Sequence, residues 1–422
     1  MSLDSEIYLY SEWSEEAASL CKEFRNSGVV GIDIAMSEFL SDQHPDECPH
    51  RQAFLTAKYD VIHRTTHAGE VGEPANVYEV ELHVHLDAAI KPQTILDLAS
   101  KRGIKLKSTT AEALNAEIVM KDNESLDSLL QAFDIFIPVI AGDRDAVYRL
   151  AYEFCETCSQ HGIKYVEGRY SPHLLANTFS KPQYARESGS FSPRDVVMTI
   201  NEALQKGSQD FNILAKSIIG CVKHRPDWSM EVATLAKEFF NDGTVAIDIS
   251  ESEFNSGRDL NQSAHKHAYE EAIRCGVHRT VHAAEVQHPS TIFQALDELQ
   301  TERVGHGYRC LDDPKAYSRL KQENIHLETC PISSLRTGGA RNGKVNHPIL
   351  TFANDGVNFS ISTDDPIILG NDLSEDYLMA LEFGLNIEQI EQSIFNAARS
   401  CFATEREKKQ LLKELVEVYG KH

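Results

Sequence analysis

Four short stretches carry side chains able to do chemistry together. In V-E-L-H-V-H-L-D at positions 80–87, the H-x-H pair puts His83 and His85 on one side of a strand, close enough to grip a single metal ion. H-A-A-E supplies His282 and Glu285, G-H-G supplies His306, and T-D-D-P supplies Asp364 and Asp365. Each alone is an ordinary polar residue; together they have one purpose. Three neutral imidazoles and one carboxylate (His83, His85, His282, Asp364) suit zinc or a similar borderline cation, with a position left open for water. Such an ion brings the pKa of water down towards neutrality. Asp364 can also orient that water, and His306 can hold it from the other side. Glu285, three residues past a ligand, is placed to move protons as a general acid and base. Asp365 can exchange a hydrogen bond with a substrate heteroatom. The chemistry read here is metal-dependent hydrolysis, with the substrate left open.

The elements that must position these residues follow from periodicity. Short apolar strand patterns recur at 80–85, 165–170, 212–221, 244–249, 277–282, 303–306, 325–330 and 358–363. Helical patterns fall between them. One covers 91–102, with Pro92 in its first turn and Gly103 after it. Another starts at Thr404, with Glu407 as its capping-box partner and Leu412, Leu415, Val416 and Tyr419 on one side. Eight alternating units predict a (β/α)8 TIM-type barrel, whose active site lies at the C-terminal strand ends, where the polar residues collect. Helical periodicity at 126–133 and 146–155 marks an insertion after strand one, expected to act as a lid.

Composition narrows the class. A formal charge of −23 over 422 residues argues against nucleic acid and anionic membranes, because little neutralises phosphates on that scale. No apolar run approaches the ~18 residues of a membrane span, and the N-terminus lacks a signal-peptide pattern. The 9 scattered cysteines read as reduced thiols of a cytoplasmic protein. Cys155 and Cys158 form a C-x-x-C in a helical stretch and are read as packing. A monomer is expected.

The chain also repeats itself once. At an offset of 215, residues 13–77 match 228–292 at 29 of 65 positions, without gaps. Two occurrences exclude a solenoid. Residues 1–78 are read as a partial, non-catalytic duplicate of the strand four and five region, and 79–422 as the catalytic barrel. The duplicate contains H-A-G-E (His67, Glu70) but no H-x-H, G-H-G or D-D. His67 and Glu70 are read as idle.

The motifs V-E-L-H-V-H-L-D, Y-V-E-G-R-Y-S-P-H-L-L-A-N, H-R-T-V-H-A-A-E-V, E-R-V-G-H-G-Y, C-P-I-S-S and S-T-D-D-P occur in this order from Val80 to Pro366. In combination they resemble the adenosine deaminase family over residues 79 to about 420. The resemblance implies zinc-dependent hydrolysis of adenosine or 2′-deoxyadenosine to inosine or 2′-deoxyinosine and ammonia, a step of purine salvage. It implies one zinc ion on His83, His85, His282 and Asp364, with Glu285, His306 and Asp364 catalytic. Substrate would be bound by His85, Asp87, Glu251, Glu285 and Asp365. Asp87 would bond the ribose 5′-hydroxyl, and its charge would repel a 5′-phosphate, which favours a purine nucleoside.

The sequence departs from the family in four places. Glu251 stands where a glycine N–H meets the purine, Ala284 replaces the glycine of H-A-G-E, Ala88 follows H-L-D, and Gly168 interrupts strand two, which should weaken it. Glu251 motivates two rival readings, a deaminase of N6-substituted purine nucleosides or nucleotides and a catalytically impaired nucleoside-binding protein.

Overall fold

The computed structural model describes residues 31–34, 63–66, 78–121, 126–178, 184–250, 263–341, 343–344 and 346–419. The chain divides into two compact units, Met1–Tyr78 and Glu79–His422. In the larger unit, β1 (Glu79–His85), β2 (Ile163–Tyr170), β3 (Leu214–Val222) and β4 (Thr244–Ser250) pair in parallel. β5 comes in two pieces: His278–Arg279 pairs with β4, and His282–Ala283 pairs with β6 (Arg303–His306). β7 (His326–Thr329) and β8 (Phe359–Ile361) follow. A parallel bridge from Val84 to Asp364 returns β8 to β1; there the His85 N–H donates to the Asp364 carbonyl at 2.7 Å and the Asp364 N–H to the His83 carbonyl at 3.0 Å. The expected barrel is present, with a strand at each of the eight places.

Differences from the expected boundaries have local causes. β3 starts at Leu214, not 212, because Asn212 adopts a left-handed conformation (φ 52°) that closes the preceding helix Pro193–Phe211. β5 breaks at Thr280, whose side chain turns inward to Glu328 Oε1 at 2.8 Å. In β1 the simple alternation fails: the pairing with β2 shifts between Glu81 and Val84. Glu81 therefore does not share a face with His83. It lines a cavity beside Val84, Phe154 and Ile163 and accepts from the Thr363 N–H at 2.9 Å and Oγ1 at 2.6 Å. The irregularity releases His83 and His85 towards the barrel axis while Glu81 faces the helices.

Helix α1 (Pro92–Lys101) buries Thr94, Ile95, Leu98 and Ala99 as its spacing predicts. The insertion folds as α2 (Leu126–Ile140), which continues through Pro138, and α3 (Arg144–Gln160). Cys155 and Cys158 are buried on α3, consistent with packing. In the C-terminal helix α4 (Glu405–Tyr419), Thr404 and Glu407 make the reciprocal capping bonds, at 2.8 and 3.3 Å. Its buried contacts are Leu411 and Leu415, and Val416 is 38% exposed, so the inward face is rotated from the expected one.

Gly168 is occupied space rather than weakness. A Cβ there would lie 3.1 Å from both Leu86 Cδ1 and Phe154 Cε1, so its absence lets β2 pack tightly against both side chains. In the smaller unit, Gly31–Ile34 pairs in parallel with His63–Thr66, starting Gly31 opposite His63. Shifted by the repeat offset, this becomes Ala246 opposite His278, the register between β4 and β5. His67 and Glu70 lie outside the described residues.

Candidate active site

The strand ends bring His83, His85, His282 and Asp364 together so that one donor atom from each lies within 4.8 Å of the others. His85 Nε2 and His282 Nε2 are 3.3 Å apart, and Asp364 Oδ1 is 3.3 Å from His83 Nε2 and 3.5 Å from His85 Nε2. In His83 and His282 the second ring nitrogen faces a carboxylate. His83 Nδ1 lies 2.7 Å from Glu328 Oε2, and His282 Nδ1 lies 3.0 Å from Asp248 Oδ2. With Nδ1 as donor, each ring keeps its Nε2 lone pair for the centre. Asp364 Oδ2 accepts from Ser333 Oγ at 2.7 Å.

One guanidinium ties these supports together. Arg169 donates to Asp248 Oδ2 at 3.0 Å, Glu328 Oε2 at 2.6 Å and the Leu82 carbonyl at 2.8 Å. Arg303 joins Glu328 at 2.8 Å to Glu167 at 2.5 Å. Four buried carboxylates (Glu167, Asp248, Glu328, Asp364) thus face two guanidiniums, a shortfall of two positive charges in a low-dielectric interior. One divalent cation among the three imidazoles and Asp364 would make it good, and the donor set fits such an ion.

Beside this cage the titratable groups are driven apart. Burial and then the charge of Asp364 push the Glu285 carboxyl up to about 8. Burial also opposes ionisation of Asp364, but His306 and His83 outweigh it and hold that carboxyl well below its usual range. Asp365 is pushed well up by burial and then by Asp364, Asp87 and Glu285, and its Oδ1 has no hydrogen-bond partner. Burial keeps His306 and His85 neutral. His306 Nε2 stands 3.7 Å from Glu285 Oε2 and 3.9 Å from Asp364 Oδ2. A protonated acid, a neutral imidazole and an ionised carboxylate therefore converge on one spot.

The backbone here is held in unusual shapes. Ala284, His306 and Asp364 all have positive φ (51°, 64° and 69°), a conformation costly for residues with a Cβ. Ala284 is held in it by its N–H bond to Thr291 Oγ1 at 2.9 Å and by the Arg309 N–H on its carbonyl at 2.7 Å. The glycine that this position favours is absent, and the conformation is kept.

These residues open into a cavity of about 260 Å³. Asp87, in the turn Leu86–Ala88, and Asp365 line it with His85, Glu285 and His306. Leu126, Leu129, Leu130, Phe133 and Ile137 of α2 form an apolar wall, so the insertion borders the site. No lysine or arginine lines it among the described residues. Glu251 lies outside the described residues; Ser250, its neighbour, does line the cavity. Asp248, Glu328, Arg169 and Ser333 are site residues that motif reading missed. A charged residue inside an apolar strand run, such as Asp248 in A-I-D-I, was the available signal.

The family model described as adenosine deaminase matches this chain twice, over residues 6–80 and 79–418. The chain is 45% identical to the adenosine deaminase of Xenopus laevis over 347 residues, covering 82% of this chain and 96% of the relative. It is 47% identical to that of Bos taurus, covering 82% and 95%. Among solved structures, adenine deaminase from Arthrobacter aurescens superposes with a TM-score of 0.70 at 24% identity, covering 82% of this chain and 99% of that one. An Arabidopsis N6-mAMP deaminase gives 0.66 at 24%, covering 81% and 98%. At that identity the two structures speak for the fold.

Proposed function

The chain belongs to the adenosine deaminase family, and from that premise we propose that it hydrolyses the 6-amino group of adenosine or 2′-deoxyadenosine, giving inosine or 2′-deoxyinosine and ammonia. The observation that carries the reading is the pair Glu285 and Asp364, one carboxyl driven up to about 8 and its neighbour held down, beside three converging imidazoles. His83, His85, His282 and Asp364 would hold zinc. Zinc there would lower the pKa of a water molecule and so supply the nucleophile.

The remaining work falls to the chain's own side chains. Neutral His306 accepts a hydrogen bond from the attacking water at Nε2 and orients it together with Asp364. Glu285 enters protonated and gives its proton to the purine ring as C6 is attacked. Asp365, protonated and with a free Oδ1, bonds the imidazole part of the purine. Asp87 accepts from the ribose 5′-hydroxyl, and its carboxylate favours a nucleoside over a nucleotide. His85 borders the purine, and Ser250 lines the cavity beside it. The wall of α2 excludes water from the attacked carbon.

The test is the ultraviolet absorbance change when adenosine is added to zinc-loaded protein, with Glu285→Ala and Glu251→Gly alongside. Turnover by the wild type and none by Glu285→Ala is the expected result. Silence of the wild type with zinc bound, and recovery in Glu251→Gly, would replace this reading with a drifted pocket; N6-methyladenosine and AMP are the substrates to try next. Silence in every variant despite bound zinc would leave a nucleoside-binding protein.

A further inference from the structure

Cys330 follows the last residue of β7 in the C-P-I-S-S motif and has no part in the reaction above. Its thiol is fully buried, and its backbone N–H is fixed by Tyr308 Oη at 2.5 Å. Donor atoms of Cys330, His83, His306 and Asp364 all lie within 4.8 Å of one another, and all four residues are buried. Two of these side chains also belong to the cage described above. The other two replace His85 and His282.

Two further observations point to a ligand. His83 Nε2 and His306 Nδ1 are both buried and without a hydrogen-bond partner, which costs free energy unless something else uses them. Asp364 presents two different sides: Oδ1 faces His83 and His85, while Oδ2 faces His306 and accepts from Ser333. The carboxylate can therefore serve either set of neighbours without leaving its place.

We propose that His83, His306, Cys330 and Asp364 form a second, overlapping cation site for soft, thiophilic ions such as Cd2+. The separation follows from ligand chemistry. The set with three imidazoles and a carboxylate suits a borderline ion, while a sulfur donor favours a soft one. Because His83 and Asp364 are shared, occupation of one site excludes the other. Binding exchanges the Cys330 S–H bond for an S–Cd bond and releases one proton to solvent. A cation held there takes His306 away from water and leaves His85 and His282 without an ion, so the enzyme is inhibited. The inference concerns metal binding and stands apart from the proposed deamination, since it is read without substrate.

The experiment adds Cd2+ in steps to zinc-free full-length protein and follows the ultraviolet thiolate-to-cadmium absorption, for wild type and Cys330→Ser. The expected result is a band that saturates at one equivalent in the wild type and is missing from Cys330→Ser. Cadmium affinity should fall about tenfold or more in the variant while zinc affinity changes by less than about threefold, since sulfur is a ligand for only one of the two ions. First-equivalent binding without a thiolate band would place cadmium on the imidazoles and overturn the proposal. The same band persisting in Cys330→Ser would assign it to another cysteine and overturn it too. Circular dichroism of the variant confirms that it is folded.

Discussion

Replacing Asp248 by asparagine keeps the volume of the side chain and breaks its logic. The carboxylate accepts on both of its oxygens, from Arg169 Nη1 on Oδ2 at 3.0 Å and from His282 Nδ1 on Oδ1 at 3.3 Å. An amide has one oxygen. If that oxygen faces Arg169, the NH2 meets His282 Nδ1 and selects the tautomer whose Nε2 carries a proton and cannot bind metal. If it faces His282, the NH2 opposes the guanidinium donor. Arg169 keeps Glu328 at 2.6 Å and the Leu82 carbonyl at 2.8 Å, so the fold should lose only about 1–3 kcal/mol, the cost of one unsatisfied buried group. Metal affinity should fall roughly 10–100-fold, or about 1.4–2.7 kcal/mol, as for loss of a carboxylate supporting a ligating histidine. Competition for zinc against a chromophoric chelator measures this, with a thermal melt to report stability. Excess zinc should then restore most of the turnover. Affinity within about twofold of wild type would show that Asp248 does not orient His282, and the supporting role drawn for it and for Arg169 would fall.

Other expectations follow from the same structure. Glu285 must be protonated to act as an acid, so kcat/KM should decline as pH rises through about 8, its raised value; a flat profile to higher pH would remove it from that role. Glu79 is buried and pushed up to about 8 by burial and then by Glu81 and Asp372. The folded state therefore holds its proton longer than the unfolded chain, and the stability that Glu79 contributes is full below about 4.5 and lost as pH rises towards 8. Glu79→Gln should flatten that slope in urea melts at several pH values, and an unchanged slope would refute the assignment. Gly168→Val should destabilise by about 1–3 kcal/mol despite better strand propensity, because its first carbon already meets Leu86 and Phe154 at 3.1 Å. A more stable variant would show that the contact relaxes freely.

Much of this molecule was legible residue by residue. The eight strand positions follow from alternation of apolar residues and the helices from capping and 3.6-residue spacing, both properties of neighbouring residues. The candidate ligand set and Glu285 were visible because a barrel gathers its strand ends wherever the chain supplies them. Even the repeat at 31–34 and 63–66 retains the register of its counterpart.

What depended on distance through space was not legible. Glu81, two residues before His83, faces the helices because the pairing of β1 with β2 shifts there, which strand alternation alone does not show. Asp248, Glu328 and Arg169 lie on three strands far apart in sequence, and only closure of the barrel makes them one hydrogen-bonded unit. Glu285 and Asp364 are both carboxylic acids to a reader of sequence. One holds its proton and the other gives it up because of which charges and how little water surround each, and those follow from the packing of the whole barrel.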